Sequence, residues 1–306
     1  MKKLLIFLSC TLAIVIFSDL AFGICFTHYV KTHNLPGRFQ LLDKLLRQTD
    51  ADILLIGNSV IRDAIKPSVL QDSMNMSCYN GGIAGQDFDF FEIVIDCVLQ
   101  RYTPKMIVLG IRPEEVGENI GEGLFDVLRP YYHIGYKSID EHFDNMSSNN
   151  KFLYKSSFCR YNSIWVRILL YSLIKEAEYT DNGFNANVVP AQTPTIKHVD
   201  NVDVPSERKM NSLKRIFNKC NEKGVKICVC FPPSLLIFPQ KDLPCVNAVK
   251  ELCRQYKAPC FIDYNNPFFL HSPELFYDAG HVNINGAEIY SRQIASRLKK
   301  ELNNKK

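Results

Sequence analysis

The chain has 306 residues, of which 46% are hydrophobic and 22% are charged, which excludes a disordered, collagen-like or small disulfide-stabilised protein. Its formal net charge of +4 comes from lysines at the two ends, so the body is close to neutral and has no basic footprint for nucleic acid. The eleven cysteines are odd in number and lack paired spacing, which indicates mostly reduced, buried thiols rather than a fixed disulfide framework.

The N-terminus carries an apolar segment that predicts export. Two lysines precede an apolar run from Leu4 to Phe17, and beyond Asp19 the run extends to about the 20 residues that cross a bilayer. We predict a signal anchor over residues 1–25 that leaves residues 26–306 on the periplasmic or exterior side of the cytoplasmic membrane, because the lysines stay inside. The alternatives are secretion after cleavage near Gly23, or a buried N-terminal core helix.

The remainder of the chain alternates between predicted strands and predicted helices. Short, continuously apolar runs predict strands at residues 52–57, 78–80, 105–111, 225–231 and 259–263. Helical periodicity covers residues 86–102, 206–223, 242–256 and 285–302. This alternation predicts an α/β fold, a three-layer α/β/α sandwich with a parallel, flavodoxin-like sheet of about five strands. Any active site is then expected beyond the carboxyl ends of the strands.

The segment from about residue 115 to residue 205 does not follow this alternation. It is rich in tyrosine, asparagine and serine, and only residues 164–178 have a clear helical pattern. We predict an insertion or cap on the α/β domain, since long irregular segments in compact domains are usually binding surfaces or lids. The tyrosine-rich run at residues 130–136 is expected either to line a polar ligand groove or to pack as a cap without a ligand.

Two polar or glycine-rich segments follow strands directly. Gly57-Asn58-Ser59 comes after the first strand, where a serine hydroxyl is exposed at the carboxyl edge of the sheet. Taken alone, a serine in this position is more often a helix N-cap. The loop Asn80–Gln86 follows the second strand, and its glycines let the backbone approach a bound atom and donate an N–H to an oxyanion. A flexible turn is the alternative for this loop.

A third polar segment lies just ahead of the last predicted helix. Asp278 and His281 are three residues apart, so the carboxylate can accept the Nδ1–H of the imidazole and leave Nε2 as a general base. We predict that Asn285 caps the following helix and that Glu288 completes a capping-box arrangement, which would hold the loop rigid.

Together these three segments resemble the SGNH (GDSL-like) hydrolase superfamily over about residues 50 to 300. Gly57-Asn58-Ser59 matches the first family block with Asn in place of Asp, and Asn80–Gln86 matches the second. The last block is matched by Asp278 and His281. The resemblance implies that Ser59 is the nucleophile, with Asp278 and His281 completing the triad. It also implies that the N–H groups of Ser59 and Gly85 bind the oxyanion.

The third family block departs from this resemblance. Where the family carries an oxyanion-binding Asn after the third strand, this chain reads Gly110-Ile111-Arg112-Pro113-Glu114-Glu115. Losing one such donor typically costs about 10² to 10³ in turnover, which slows the chemistry without abolishing it. Arg112 is expected either to donate in place of the Asn, to bind an anionic substrate, or to be a solvent-exposed cation paired with Glu114 or Glu115. Together with Asn58 and Asn80, it is a candidate substrate-binding residue.

The resemblance implies a serine-dependent ester hydrolase or O-acyltransferase that acts on an envelope or extracellular glycan. Expected partners are an acylated carbohydrate or other ester substrate, the membrane through the N-terminal helix, and a membrane acyltransferase. No cofactor or metal is expected, and no nucleic acid. The alternative is a catalytically weak SGNH-like binding or scaffold protein in envelope polysaccharide modification, which the missing Asn favours.

Overall fold

A computed structural model describes residues 1–118, 125–146, 153–173, 181–185, 187–199, 204–239 and 243–303. The chain divides into two compact units. The first combines Met1–Asp43 with Phe125–Glu176, and the second combines Lys44–Leu124 with Ala177–Lys306. The first unit therefore joins the predicted anchor to part of the predicted insertion.

Nine strands are described, and five of them form the central sheet. In chain order they are β1 (Ile53–Gly57), β2 (Cys78–Asn80), β3 (Met106–Gly110), β4 (Lys197–His198), β5 (Lys226–Phe231), β6 (Leu236–Ile237), β7 (Cys260–Ile262), β8 (Phe276–Asp278) and β9 (His281–Val282). The central sheet has the order β2-β1-β3-β5-β7, and all of its neighbours pair in parallel. This is the flavodoxin-like order, so the predicted α/β class and the five predicted strands are confirmed.

The helices of twelve or more residues all lie where the sequence predicts them, whereas the sequence does not predict most of the shorter ones. In chain order they are α1 (Lys2–Thr32), α2 (Arg38–Arg47), α3 (Ser59–Ala64), α4 (Pro67–Met74), α5 (Phe88–Arg101), α6 (Lys137–Asp144), α7 (Ser157–Tyr161), α8 (Ile164–Leu173), α9 (Glu207–Glu222), α10 (Pro244–Gln255), α11 (Pro267–Leu270) and α12 (Ile284–Asn303). The predicted helix at 164–178 is observed as far as Leu173, and residues 174–178 lie outside the described residues.

Alternating residues of the central strands pack on two helical layers. On one face, Ile53, Leu55 and Val108 join a core cluster with Ile61 of α3 and Tyr290 of α12. Helix α12 also packs against α4. On the other side, α5 packs against α9, which contacts β5. Because every residue of β1 and β3 is buried, the strands read as unbroken apolar runs, which is why the sequence predicts them well.

The first unit contains the long apolar helix α1. In the part of the chain that the structure describes, it is the one helix long and apolar enough to cross a membrane, a test that a signal sequence also passes. The same unit holds the tyrosine-rich run. Tyr131 and Tyr132 are buried, and the Tyr131 hydroxyl donates to Asp43 at 2.9 Å. These two rings therefore pack in the interior of the first unit rather than line an open groove.

A close backbone approach at the ends of β1 and β3 requires glycine. Gly57 has φ +155°, and an added Cβ would lie 2.4 Å from the carbonyl oxygen of Gly110.

We expect Gly57→Ala to lower the free energy of unfolding by about 3 kcal/mol, because strain and a backbone clash add. Gly224→Ala is the matched control: its φ is +68°, but the Cβ meets nothing within 4 Å, so the cost is about 1 kcal/mol. Denaturant unfolding of the detergent-solubilised chain measures both, and equal losses would contradict the account.

Candidate active site

Three side chains from two distant segments of the second unit form a hydrogen-bonded chain. Ser59 begins α3 directly after β1, and the β8–β9 hairpin carries Asp278 and His281. Ser59 Oγ lies 2.8 Å from His281 Nε2, and His281 Nδ1 lies 2.9 Å and 3.0 Å from the two carboxylate oxygens of Asp278. With the Nδ1 proton donated to the carboxylate, Nε2 presents its lone pair to the serine hydroxyl. This is the arrangement in which an imidazole acts as a general base towards a serine.

The turn after β1 holds Ser59 at the start of a helix. Asn58 is the N-cap of α3, since its Oδ1 accepts the N–H of Val60 at 3.0 Å. Its Nδ2 donates to the carboxylate of Glu115. Oδ1 and Nδ2 of this buried amide each have a partner within the protein, so Asn58 holds the turn before Ser59 in place, and its substrate contact stays a prediction. Because the N–H of Val60 is taken by Asn58, the oxyanion role predicted for the N–H of Ser59 stays a prediction.

The carboxylate of Asp278 is fixed by its own turn. Its Oδ1 accepts the backbone N–H groups of Gly280 at 2.7 Å and His281 at 2.8 Å, in addition to the imidazole Nδ1–H. Partial burial raises the pKa of Asp278. The hydrogen bond and electrostatic attraction from His281, with the two backbone N–H groups, outweigh that effect and bring the pKa to about 2, below the ordinary 3.8. Asp278 is therefore an anion throughout the neutral range.

This lowered pKa predicts an acid-dependent stability. Because the folded-state pKa lies below the unfolded value, ionised Asp278 stabilises the fold fully above pH about 4, and the contribution is lost as the pH falls through about 2. Half of the side chain is exposed, so solvent screening limits the effect to about 1 kcal/mol. We expect the melting temperatures of wild type and Asp278→Asn to differ at pH about 6 and to converge near pH about 2. A difference independent of pH would contradict this assignment.

The loop after β2 is tied to the helix that carries the serine. Asn80 is fully buried, and its Nδ2 donates to the carbonyl oxygens of Ile61, Arg62 and Ile65 at 2.9 to 3.2 Å. Its Oδ1 accepts the N–H of Gly82 at 3.0 Å. An amide that is enclosed in this way cannot reach a substrate. The predicted substrate-binding role of Asn80 is therefore corrected to a positioning role.

The same loop passes close to the first turn of α3. The N–H of Ile83 donates to the carbonyl oxygen of Gly57 at 3.0 Å, and a Cβ added to Gly82 would lie 2.7 Å from the nitrogen of Arg62. Gly85, two residues beyond Ile83, is exposed and has φ +75°. Its role as the second oxyanion donor stays a prediction.

Arg112 points at the imidazole. Its side chain is 21% exposed, and Nη2 lies 3.0 Å from the carbonyl oxygen of Gly280 and 2.8 Å from His281 Nε2. Gly280 makes room for it, since an added Cβ would lie 2.9 Å from Nη2. The expectation of a solvent-exposed cation is therefore wrong, although a loose ion pair with Glu114 at 3.9 Å remains.

The imidazole Nε2 has two neighbouring donors and one lone pair. The hydroxyl of Ser59 and Nη2 of Arg112 each lie 2.8 Å from this nitrogen. While Nδ1 carries the proton that it donates to Asp278, Nε2 accepts from both groups in competition. Arg112 therefore contacts the same imidazole nitrogen as the Ser59 hydroxyl.

Glu115 is a positioning residue that sequence reasoning did not identify. Its Oε2 accepts the backbone N–H of Arg112 at 2.9 Å, and Oε1 accepts from Asn58. It thereby links the turn after β3 to the turn that carries Ser59. Burial raises the pKa of Glu115, and Arg112 and the hydrogen bonds offset this effect only in part. A glutamate three residues after a turn start is a capping-box signal that could have been recognised.

The base of the β8–β9 hairpin is held by Asn283. Its Oδ1 accepts the N–H groups of Asn285 at 3.0 Å and Gly286 at 3.1 Å, so Asn283 is the N-cap of α12. The prediction that Asn285 is the cap is wrong, because the helix begins at Ile284. Glu288 forms an ion pair with Lys66 at 2.6 Å instead of completing a capping box.

Comparison with known proteins returned neither a matching family model nor a matching curated protein. Across the described ranges, no group of three or more His, Cys, Asp or Glu side chains is placed to hold a metal ion. The functional interpretation therefore depends on the site geometry itself.

Proposed function

We propose that the protein is a serine-dependent acyl-ester hydrolase or O-acyltransferase of SGNH type. The observation that carries this proposal is the hydrogen-bonded chain from Ser59 through His281 to Asp278, at the carboxyl end of β1. Parallel α/β sheets bind their ligands at this edge. The order of the three residues along the chain is that of the resembled family.

In the first half-reaction, Ser59 Oγ attacks the ester carbonyl carbon while its proton passes to His281 Nε2. Asp278 stabilises the imidazolium that forms and keeps the ring in the required orientation. The carbonyl oxygen becomes an oxyanion, and the proposed donors to it are the N–H groups of Ser59 and Gly85. Collapse of the tetrahedral intermediate breaks the bond to the alcohol oxygen. The alcohol leaves with the proton from Nε2, and the acyl group stays on Ser59.

The second half-reaction decides between hydrolase and transferase. Water or an acceptor hydroxyl loses its proton to His281 Nε2 and attacks the acyl carbon, and the proton then returns to Ser59 as the acyl bond breaks. Both outcomes use the same three side chains. The difference lies in whether the acceptor is water or a glycan hydroxyl.

Arg112 is proposed as the third oxyanion donor, in place of the missing Asn. Its Nη2 contacts His281 Nε2, the same nitrogen that the Ser59 hydroxyl contacts, so it lies beside the proposed reacting centre. The buried Nε of Arg112 has no hydrogen-bond partner among the described residues. In its observed position the guanidinium therefore leaves one hydrogen-bond donor unsatisfied. A developing oxyanion offers a stronger acceptor than Nε2 and would release the lone pair for the serine proton.

The proposed location is the outer face of the cytoplasmic membrane, with α1 retained as an anchor. The contacts of α1 favour retention over cleavage near Gly23. Gly23 is buried, and an added Cβ would lie 2.1 Å from Ser157 Oγ. Thr27 bonds the Tyr161 hydroxyl at 2.9 Å. Cleavage after Gly23 would remove Lys2–Gly23, which is 22 of the 31 residues of α1 and includes the Gly23 contact. An anchored enzyme outside this membrane would meet acylated envelope glycans and a membrane acyltransferase as acyl donor.

A substrate panel tests the proposal. The full-length protein in detergent is assayed on p-nitrophenyl acetate, acetylated xylan and acetylated peptidoglycan fragments, with Ser59→Ala as the matched control. We expect release of acetate from at least one substrate by wild type and none above background by the variant. Equal release by both proteins, or no release from any substrate, would contradict the hydrolase.

A catalytically weak binding or scaffold protein is the second candidate. The contact that favours it is Arg112 Nη2 on His281 Nε2, because a donor that occupies the base competes with activation of Ser59. In that case acylated glycan would bind to wild type and Ser59→Ala with equal affinity and would remain intact. Turnover that depends on Ser59 would exclude this candidate.

A further inference from the structure

Helix α8 in the first unit presents apolar side chains outward. Helices on a water-exposed surface normally bury one apolar stripe and turn polar residues to solvent. Here Ile164 and Ile168 are buried, and most of the outward positions are also apolar, with Arg167 and Ser172 as the polar ones. The exposed fractions are 42% for Trp165, 37% for Val166, 51% for Leu169, 47% for Leu170 and 72% for Leu173. Water is therefore a poor environment for this face.

Helices α7 and α8 contact the long helix α1, and several of these contacts involve Asp19 and Phe22. Asp19 of α1 accepts the N–H groups of Ser157 at 3.0 Å and Phe158 at 2.7 Å, which caps the start of α7. The ring of Phe22 stacks on Phe158, with centroids 5.2 Å apart, and meets Trp165 edge-on at 6.2 Å. Helix α8, which carries the exposed apolar face, therefore contacts α1 directly at the height along α1 that Asp19 and Phe22 occupy.

That level matches the outer boundary of a bilayer spanned by α1. From Leu4 to Phe22 a helix rises about 27 Å, close to the hydrocarbon thickness of about 30 Å. Residues 1–18 are exposed along their whole length, as a lipid-facing segment would be. Trp165, in contact with Phe22, then lies at the depth where tryptophan is enriched in membrane proteins.

The charge of this region also suits a membrane surface. Residues 153–173 contain Lys155, Arg160 and Arg167 and no acidic residue. Arg167 is 44% exposed while pairing with Asp126 at 3.2 Å. Basic residues beside an apolar helix face are the combination that binds anionic lipid headgroups.

We propose that α8, together with the exposed side chain of Phe158, lies in the outer interface of the bilayer as a second membrane contact. The contact fixes the rotation of α1 about its axis and orients the first unit against the lipid. This inference rests on the proposed insertion of α1. A second copy of the chain or another protein on this face would be a different occupant.

The chain contains a single tryptophan, Trp165, so its fluorescence reports on this surface alone. The full-length protein is reconstituted into vesicles of phosphatidylcholine and phosphatidylglycerol whose acyl chains are brominated either near the headgroup or near the chain end. Lipid bromine quenches an indole that touches it, and iodide quenches an indole that faces water. We expect strong quenching by the shallow bromine, weaker quenching by the deep bromine, and little by iodide.

Variants of α8 keep the test specific. Leu169→Ser with Leu173→Ser removes two outward apolar side chains and is expected to reduce shallow-bromine quenching about twofold with a red-shifted emission. Phe268→Ser, at a side chain that is 50% exposed in the second unit, is the matched control and is expected to change neither signal.

The outcomes separate this proposal from the insertion of α1. Resistance of the protein to extraction by alkaline carbonate shows that α1 is inserted, independently of Trp165. An inserted protein whose Trp165 is quenched by iodide and not by bromine would overturn the proposal. So would an inserted protein whose Trp165 is shielded from both quenchers, because another protein then covers α8.

Discussion

Replacing Ser59 with alanine is expected to lower kcat by about 10⁴ to 10⁶, and replacing His281 with alanine is expected to do the same. The double variant should be no slower than either single variant. Ser59 Oγ and His281 Nε2 lie 2.8 Å apart and perform one proton transfer, so removing either partner removes the whole step. Residual turnover would come from substrate positioning and the oxyanion donors, which both substitutions leave in place.

The measurement is kcat and KM on the best substrate of the panel for wild type, both single variants and the double variant. His271→Ala is the matched control, because His271 is an exposed histidine whose Nδ1 contacts only the carbonyl oxygen of Pro267 at 2.7 Å in the described contacts. It should retain wild-type turnover. Multiplicative losses in the double variant would mean that the two side chains act independently, which contradicts the triad.

Replacing Arg112 with alanine is expected to lower kcat by about 10² to 10³ on a neutral ester, with KM much less affected. A donor that bonds the oxyanion stabilises the transition state and not the bound ester, so its loss appears in kcat. Arg112→Lys should recover part of the rate, since an ammonium supplies charge without the planar fork of the guanidinium.

Kinetics on a neutral and an anionic ester separate the two predicted roles of Arg112. A substrate-binding role predicts that KM rises for the anionic ester alone. Arg254→Ala is the matched control, because Arg254 is exposed and pairs with Glu251 on the surface of α10. A faster Arg112→Ala enzyme would contradict both roles and would show that the contact with His281 Nε2 is inhibitory.

Most of the fold could be predicted because strands that are buried on both faces of the sheet show continuous apolar runs in the sequence. β1 and β3 are apolar at every position, and the long helices α5, α9, α10 and α12 show clear periodicity. Short helices show no comparably clear apolar pattern in the sequence. Helix α3 has six residues, and its start is set by the Asn58 cap rather than by a pattern. The short helices α4 and α6 were missed for the same reason.

The contacts among Ser59, His281 and Asp278 could be predicted, whereas the residues that hold them in place could not. Asp278 and His281 are close in sequence, so their contact follows from local geometry. Asn80 and Glu115 act on segments that are distant in sequence, and the direction of their side chains depends on how those segments pack. Sequence alone therefore assigned Asn80 to the substrate and left three options open for Arg112. Only the fold brings Arg112 Nη2 to His281 Nε2.

The most direct test of the proposed chemistry is covalent labelling with a fluorophosphonate, which reacts with an activated serine and leaves ordinary serines unmodified. The full-length protein in detergent is treated with the probe and analysed by intact mass and peptide mapping. We predict one adduct per chain, located on Ser59, and no adduct in Ser59→Ala or His281→Ala. Folded wild-type protein without an adduct, or with an adduct on another serine, would contradict the assignment of Ser59 as the nucleophile.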